Sequence, residues 1–259
     1  MLAYPVSDKP IDYSKPTFIQ PKLDGVRCVI QCEQHMNYLN NEIVAYSRTG
    51  KEWKNIQHIL DELRPFFDKF PNVILDGELY NHDLRDNFEK IISLVRKTKP
   101  TDEDRQEAAE LTQFHCYDII DETKTFEERN DFIKQAVPRN HCVHHVSTLR
   151  CISDSDAKEM HKVNLVCGFE GSILRTNDVY KCGRSWNLRK FKDFHDAEAT
   201  LIAWVEGKGK RKGTVGKFIA VDADGNEFGM PVMDKFDYLQ KNFRKMRNWV
   251  GKTATFTYF

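Results

Sequence analysis

Apolar and polar side chains alternate from Val26 to Cys32. Val26, Cys28, Ile30 and Cys32 fall on one face and Arg27, Val29 and Gln31 on the other, which predicts a half-buried strand. Short strands are also predicted over residues 43–47, 73–75, 114–120, 170–174 and 188–192, the third from the end carrying Tyr117-Asp118. Helical spacing appears between them. Residues 55–70 place Ile56, Ile59, Leu60 and Leu63 on one face, continued by Phe66, Phe67 and Phe70, with Pro65 as a candidate kink. Residues 88–96 turn Phe88, Ile91, Ile92 and Val95 inward. Residues 101–111 read as a polar helix capped by Thr101, and residues 126–137 and 153–166 as two further helices. The first 21 residues hold four prolines and read as an extended lead-in.

The pattern changes after about Asp193. Residues 199–206, 214–222, 226–232 and 252–258 read as strands, and residues 234–247 as a helix capped by Asp234. Strands with one interposed helix predict a small β-barrel of the oligonucleotide-binding (OB) type. Such a barrel has about five strands, and the sequence supplies four before it stops inside an alternating stretch. The expectation is therefore an OB-fold domain truncated at its C-terminus. The domains are expected at 1–193 and 194–259, with no DNA-binding domain ahead of the first.

Composition narrows the class. The chain has 259 residues, 40% hydrophobic and 30% charged, enough for a sizeable core. Lysine plus arginine equals aspartate plus glutamate, 39 each, so any attraction to nucleic acid must come from local patches. Seven cysteines without a Cys-x-x-Cys pair argue against a disulfide framework and for a reducing, cytoplasmic setting. The His141-Cys142-Val143-His144-His145 run lacks paired zinc spacing and reads as a surface loop. No signal peptide opens the chain and no apolar run reaches membrane-spanning length, so a non-secreted protein without membrane partner is expected, working as a monomer.

Several predicted strands carry charges that a core strand would not carry: Lys22, Asp24 and Arg27; Arg48 in the turn after the second strand; Asp76 and Glu78; Asp118 beside Tyr117; Glu170; Lys190 and Lys192. Such charges are costly unless paired or bound to something, and a set of this size suggests a shared polyanion with a metal. The order Lys22-x-Asp24-Gly25-x-Arg27, Ser47-Arg48-x-Gly50, Asp76-Gly77-Glu78-Leu79, Tyr117-Asp118, Glu170-Gly171-x-Ile173 and Lys190-x-Lys192 resembles the covalent nucleotidyltransferase superfamily. Within it the chain most resembles the small ATP-dependent DNA ligases. The resemblance runs along essentially the whole chain.

It implies an α+β fold, a nucleotidyltransferase (ATP-grasp-like ligase) core of antiparallel sheets with flanking helices, followed by the OB-fold barrel. It also implies roles. Lys22 would take AMP from ATP as a lysyl phosphoramidate, with Lys190 and Lys192 clamping the α-phosphate. Gln20 would read the adenine amine, Tyr117 would stack on the base and Glu78 would bind the ribose. Glu170 would hold magnesium or manganese, with Asp24 in the metal shell and Arg27 fixing the nucleotide. Arg48 and Arg184 would hold the 5′-phosphate of nicked duplex DNA. Lys208, Lys210, Arg211 and Lys212, with glycines between, form a basic cluster suited to backbone phosphates, and Lys241, Arg244, Lys245 and Arg247 form a second.

Three rivals remain at this point. RNA ligases of the superfamily tend to lack the arginine that stands here as Arg27. Capping guanylyltransferases place a different sequence at Ser47-Arg48. A non-catalytic nucleic-acid-binding protein would not need Lys22, Glu78, Glu170, Lys190 and Lys192 together.

Overall fold

Two five-stranded sheets build the first of two units, Met1–Lys192, and a four-stranded sheet builds the second, Asp193–Phe259. The computed structural model describes residues 1–33, 42–193 and 195–258. In chain order the first unit runs β1 (Leu2–Pro5), β2 (Thr17–Lys22), β3 (Val26–Glu33), β4 (Glu42–Tyr46), α1 (Gln57–Lys69), β5 (Leu75–Tyr80), α2 (Phe88–Val95), α3 (Asp102–Leu111), β6 (Gln113–Ile119), α4 (Phe126–Ala136), β7 (Val143–His145), β8 (Leu149–Cys151), α5 (Asp154–Val166), β9 (Gly171–Thr176) and β10 (Arg184–Phe191). One sheet has the order β1-β10-β9-β2-β8 and the other β4-β3-β5-β6-β7. Pairing is antiparallel except for β1 with β10 and β6 with β7.

Each sheet buries one face under helices. In the second sheet Cys28, Ile30, Leu75, Leu79, Phe114 and Cys116 join Ile59, Leu63, Phe66 and Phe67 of α1 in the main core. The alternation in β3 produces this split, with Cys28 and Ile30 fully buried. In the first sheet Ile19, Cys151 and Leu174 pack on Ala157 and Met160 of α5. Thr101 caps α3 in a reciprocal capping box with Asp104, as its sequence predicts. The other face of each sheet is left with polar side chains.

Several sequence expectations need correction. The proline-rich opening is not merely a lead-in: it supplies β1 and β2, because its prolines flank the strands or sit where a ladder bond is not required. Asp76-Gly77-Glu78-Leu79-Tyr80 does not follow a strand at 73–75; it is the strand β5 itself. The 141–145 run is not wholly a surface loop. Cys142 and Val143 are buried, and Val143–His145 pairs with β6 as β7.

The second unit comprises β11 (His195–Glu206), β12 (Val215–Val221), β13 (Glu227–Pro231), α6 (Phe236–Lys241), α7 (Phe243–Arg247) and β14 (Thr253–Tyr258). Its sheet order is β13-β12-β11-β14, antiparallel throughout. Among the described residues no ladder joins β13 to β14, so the sheet is not a closed barrel. It is nevertheless strongly curled: Phe228 of β13 and Phe256 of β14 lie 4.8 Å apart although two strands separate theirs. Two register shifts in β11 provide bending points. The helix expected at 234–247 is divided in two at Asn242, whose Nδ2 donates to the Tyr238 carbonyl at 2.9 Å beside its own backbone N–H at 3.0 Å. Asp234 does not cap it; its carboxylate accepts from the Lys235 N–H at 2.7 Å.

Candidate active site

The polar faces of the two sheets of the first unit enclose a cavity of about 130 Å³. Strand register puts its residues there. Gln20 of β2 stands opposite Ile173 of β9, Lys22 opposite Gly171, and Ile173 opposite Lys190 of β10. Directly opposed residues share a face, so Gln20, Lys22, Ile173 and Lys190 line up on one side. Arg175 and Leu188, also paired, continue that face. From the other sheet come Asp76 and Glu78 of β5 and Tyr117 of β6. Tyr117 arrives by a β-bulge: Asp76 pairs with Asp118 and Gly77 with Cys116, leaving Tyr117 as the extra residue. A bulge of this kind re-aims a side chain, and strict alternation would not have put both Tyr117 and Asp118 on the site side.

Lys22 ends β2 at the rim of the cavity. Its Nζ and that of Lys192 both donate to the Glu170 carboxylate, one to each oxygen. Burial pulls the Lys22 amine below its ordinary pKa, while the carboxylates of Glu78 and Asp24 pull the other way. Lys192 is pushed down to about 8, first by burial and then by the charge of Lys22. Two ammonium groups sharing one carboxylate make loss of a proton from either easier. This is the requirement for a nucleophilic lysine.

Glycines allow this approach. A Cβ on Gly25 would lie 2.4 Å from the Leu79 carbonyl oxygen. Gly171, at φ +151°, would put a Cβ 2.3 Å from the Phe191 carbonyl oxygen, next to both Glu170 and Lys192. Gly171→Ala is therefore expected to cost about 2 kcal/mol or more, read as a lower melting temperature. A variant as stable as the parent would contradict the close approach.

Other expected residues are held elsewhere. Arg27 does not line the cavity. Its Nε and Nη2 donate to Asp76 at 2.8 and 3.0 Å, Nη2 also to Tyr180 Oη at 2.9 Å, and Nη1 to the Met1 carbonyl at 3.1 Å. Asp118, fully buried, accepts from Arg129 at 2.7 and 3.2 Å and from Arg175 at 2.6 Å. The two aspartates are thus neutralised within the protein, which corrects the reading of every strand charge as facing a polyanion. Asp24 is exposed in the turn after Lys22. Among the described residues no group of three or more His, Cys, Asp or Glu forms a metal cage. Magnesium commonly takes one or two carboxylates, with waters and substrate phosphates completing the shell. Glu170 with Asp24 nearby fits that mode.

Residues 1–192 match the family model described as the ATP dependent DNA ligase domain. The chain belongs to that family. A DNA ligase of African swine fever virus (isolate Tick/South Africa/Pretoriuskop) is 29% identical over 213 residues, covering 76% of this chain and 46% of that protein. A DNA ligase of Haemophilus influenzae is 26% identical over 225 residues, covering 83% and 71%. The chain therefore spans about half the length of the viral relatives it matches. Among solved structures, one from a structure–function study of DNA binding by Lig E DNA ligases superposes with a TM-score of 0.76 at 24% identity, covering 100% of this chain and 91% of that one. The Chlorella virus DNA ligase-adenylate superposes at 0.53 and 22% identity, covering 100% and 90%. At these identities the structural likeness speaks for the fold.

In this ligase-family chain Arg48 and Arg184 do not line the cavity. Arg48 is exposed in the turn after β4. Arg184, at the start of β10, lies over the Tyr4 ring at 5.3 Å and donates to the Ala3 carbonyl at 2.8 Å. Lys208, Lys210, Arg211 and Lys212 are exposed on the β11–β12 connection, where Arg211 donates to the Val232 carbonyl at 3.0 Å. No helix among the described residues is long and apolar enough to cross a membrane.

Sequence reading missed Arg175, Arg129, Thr148 and Tyr180. Arg175 is charged within an alternating strand, the same signal that exposed Lys190. Arg129 falls three residues after Phe126 and four before Ile133, on the inward face of α4.

Glu78 offers a pH test. Burial lifts its carboxyl to about 8, with Asp76 adding to the rise and Lys22, Arg27 and a Tyr117 hydrogen bond opposing it. The unfolded chain releases this proton near 4.5 and the folded chain near 8, so the folded state binds the extra proton between them. Glu78 therefore makes stability fall as pH rises through that window. Glu78→Gln should flatten the decline in melting temperature between pH 4.5 and about pH 8. Equal slopes in the two proteins would contradict it.

Proposed function

We propose that this chain seals nicks in duplex DNA with ATP, through a lysyl-AMP intermediate at Lys22 and an adenylylated DNA 5′-phosphate. The observation that carries the reading is the Lys22 amine, held with Lys192 on Glu170 at the mouth of the inter-sheet cavity of a DNA ligase-family domain. The neutral Nζ attacks the α-phosphorus; the P–N bond forms, the P–O bond to the β-phosphate breaks, and pyrophosphate leaves as the nitrogen gives up a proton. The DNA 5′-phosphate then attacks the same phosphorus and returns Lys22 to its amine. Finally the 3′-hydroxyl attacks the activated 5′-phosphorus, loses its proton and releases AMP.

In this reading the first unit is the adenylation domain. Gln20 and Tyr117 contact adenine, Glu78 the ribose, and Lys190 and Lys192 the α-phosphate, where their charge stabilises the developing oxyanion. Arg27 serves the nucleotide indirectly, by fixing Asp76. Magnesium or manganese, held by Glu170 with Asp24, would neutralise charge on the triphosphate. The second unit is an OB-fold; the curl that brings Phe228 to Phe256 supports this. Arg48, Arg184 and the Lys208–Lys212 cluster contact DNA phosphates.

Incubation with ATP and magnesium, followed by peptide mass spectrometry, tests the reading. One AMP is expected on the peptide that contains Lys22. No adduct, or an adduct on another side chain, would refute it.

A further inference from the structure

Gln20 is 2% exposed and its amide is committed on three sides. Nε2 donates to the Tyr117 carbonyl at 3.2 Å and to Thr148 Oγ1 at 2.9 Å, which uses both of its hydrogens. Oε1 accepts from Arg175 Nε at 2.7 Å. A flipped amide would set its NH2 against the Arg175 donor and its oxygen against the Tyr117 carbonyl, two unfavourable contacts, so the network fixes which end faces which way. What Gln20 has left is one lone pair on Oε1. It can accept one more hydrogen bond and donate none.

Arg175 sets this orientation, and it is itself set. Nη1 donates to Asp118 at 2.6 Å, and Asp118 is held from its other side by Arg129. The Arg175 guanidinium also lies over the Tyr117 ring at 5.3 Å. Gln20, Arg175 and Tyr117 all line the cavity. Arg175 is fixed at three points within a buried chain of charge-assisted hydrogen bonds, which are stronger than neutral ones.

We infer that Arg175 is a positioning residue for purine choice: by holding Gln20 as a pure acceptor it makes the cavity favour a base with an exocyclic amine at C6 over one with a carbonyl there. Adenine offers the amine. Guanine offers a carbonyl oxygen, which would face the Gln20 oxygen with no proton between them. The inference rests on the proposed use of ATP at this cavity and assigns its selectivity to a residue that does not touch the reacting atoms.

The experiment compares ATP with GTP, and with purine riboside triphosphate, which lacks the amine. Equilibrium binding and covalent nucleotide attachment are both measured. The parent should prefer ATP over both analogues. Arg175→Met should lower the ATP:GTP ratio roughly tenfold, the equivalent of one hydrogen bond to a charged partner, mainly through KM. Arg175→Lys should restore part of it. In a Gln20→Met background Arg175→Met should change the ratio no further, because its effect passes through Gln20.

Arg175→Met leaves Asp118 short of a partner and could unfold. Thr148→Val, which removes one acceptor from Nε2 without touching a charge, gives an independent arm and should lower the ratio roughly threefold. A ratio within twofold of the parent in Thr148→Val, or in folded Arg175→Met, overturns the inference. So does an equal further loss in the Gln20→Met background. The binding arm separates this from the ligase reading: absence of any covalent adduct in the parent would defeat that reading, while the ATP:GTP binding ratio would still test Arg175.

Discussion

Lys22→Ala is expected to reduce AMP attachment by about 10⁴-fold or more, the scale on which loss of a nucleophile acts. Three features make the expectation sharp. The amine stands at the end of β2, where the strand delivers it to the cavity rim. Burial favours its neutral form. Glu170 holds it in position and is itself held by Lys192. Sealing of a nick already carrying AMP on its 5′-phosphate should survive far better, because that step needs no amine nucleophile. Lys22→Arg should fail at attachment as well, since guanidinium stays protonated. Single-turnover labelling with ATP, set beside sealing of a pre-adenylylated nick, measures both. Labelling of Lys22→Ala at the parental rate would remove Lys22 from the mechanism.

Arg129→Leu should be the most destabilising substitution at a position remote from the chemistry. Arg129 and Asp118 have fully buried side chains. Arg129 also donates to the Lys124 carbonyl at 2.7 Å and to the Asp178 carbonyl at 3.1 Å. Its removal leaves the buried carboxylate with Arg175 as its ion-pair partner beside the Ile119 N–H, and two carbonyls without that donor. Breaking a buried pair from one side costs about 3–5 kcal/mol, which for a unit of this size is a fall in melting temperature of about 10 °C. Thermal unfolding reads it directly, and a shift below about 3 °C would mean that solvent or repacking replaces the lost partner.

Much of this site was legible in the sequence because it rests on local pattern. The alternation in β3 gave the buried face of the second sheet, and the capping signal at Thr101 gave the start of α3. Lys190 and Glu170 stood out as charges in apolar surroundings. That same rule passed over Arg175, since its sheet partners Phe18 and Leu188 are distant in sequence and give no local sign of a carboxylate waiting across the site. The Tyr117 bulge was equally hidden: a period of two predicts opposite faces for Tyr117 and Asp118, and only the register with β5 shows the extra residue. The helix expected at 234–247 is shorter and divided, beginning at Phe236 and interrupted at Asn242. The β1 strand failed for a non-local reason, since a four-residue segment becomes a strand only by pairing with β10.

That pairing has a consequence for how the molecule assembles. The cavity wall draws on Met1, residues 20–23, Asp76, Glu78, Tyr117, Ile173, Arg175 and Leu188, and the sheet that carries most of it joins β1 to β10 across almost the entire unit. Contacts this far apart in sequence carry a large loop-closure cost and slow the folding rate. The cavity is complete only when both ends of the unit have met. Under the proposed function, a nucleotide bound there would touch strands from both sheets of the unit, and its binding energy would add to the stability of that unit.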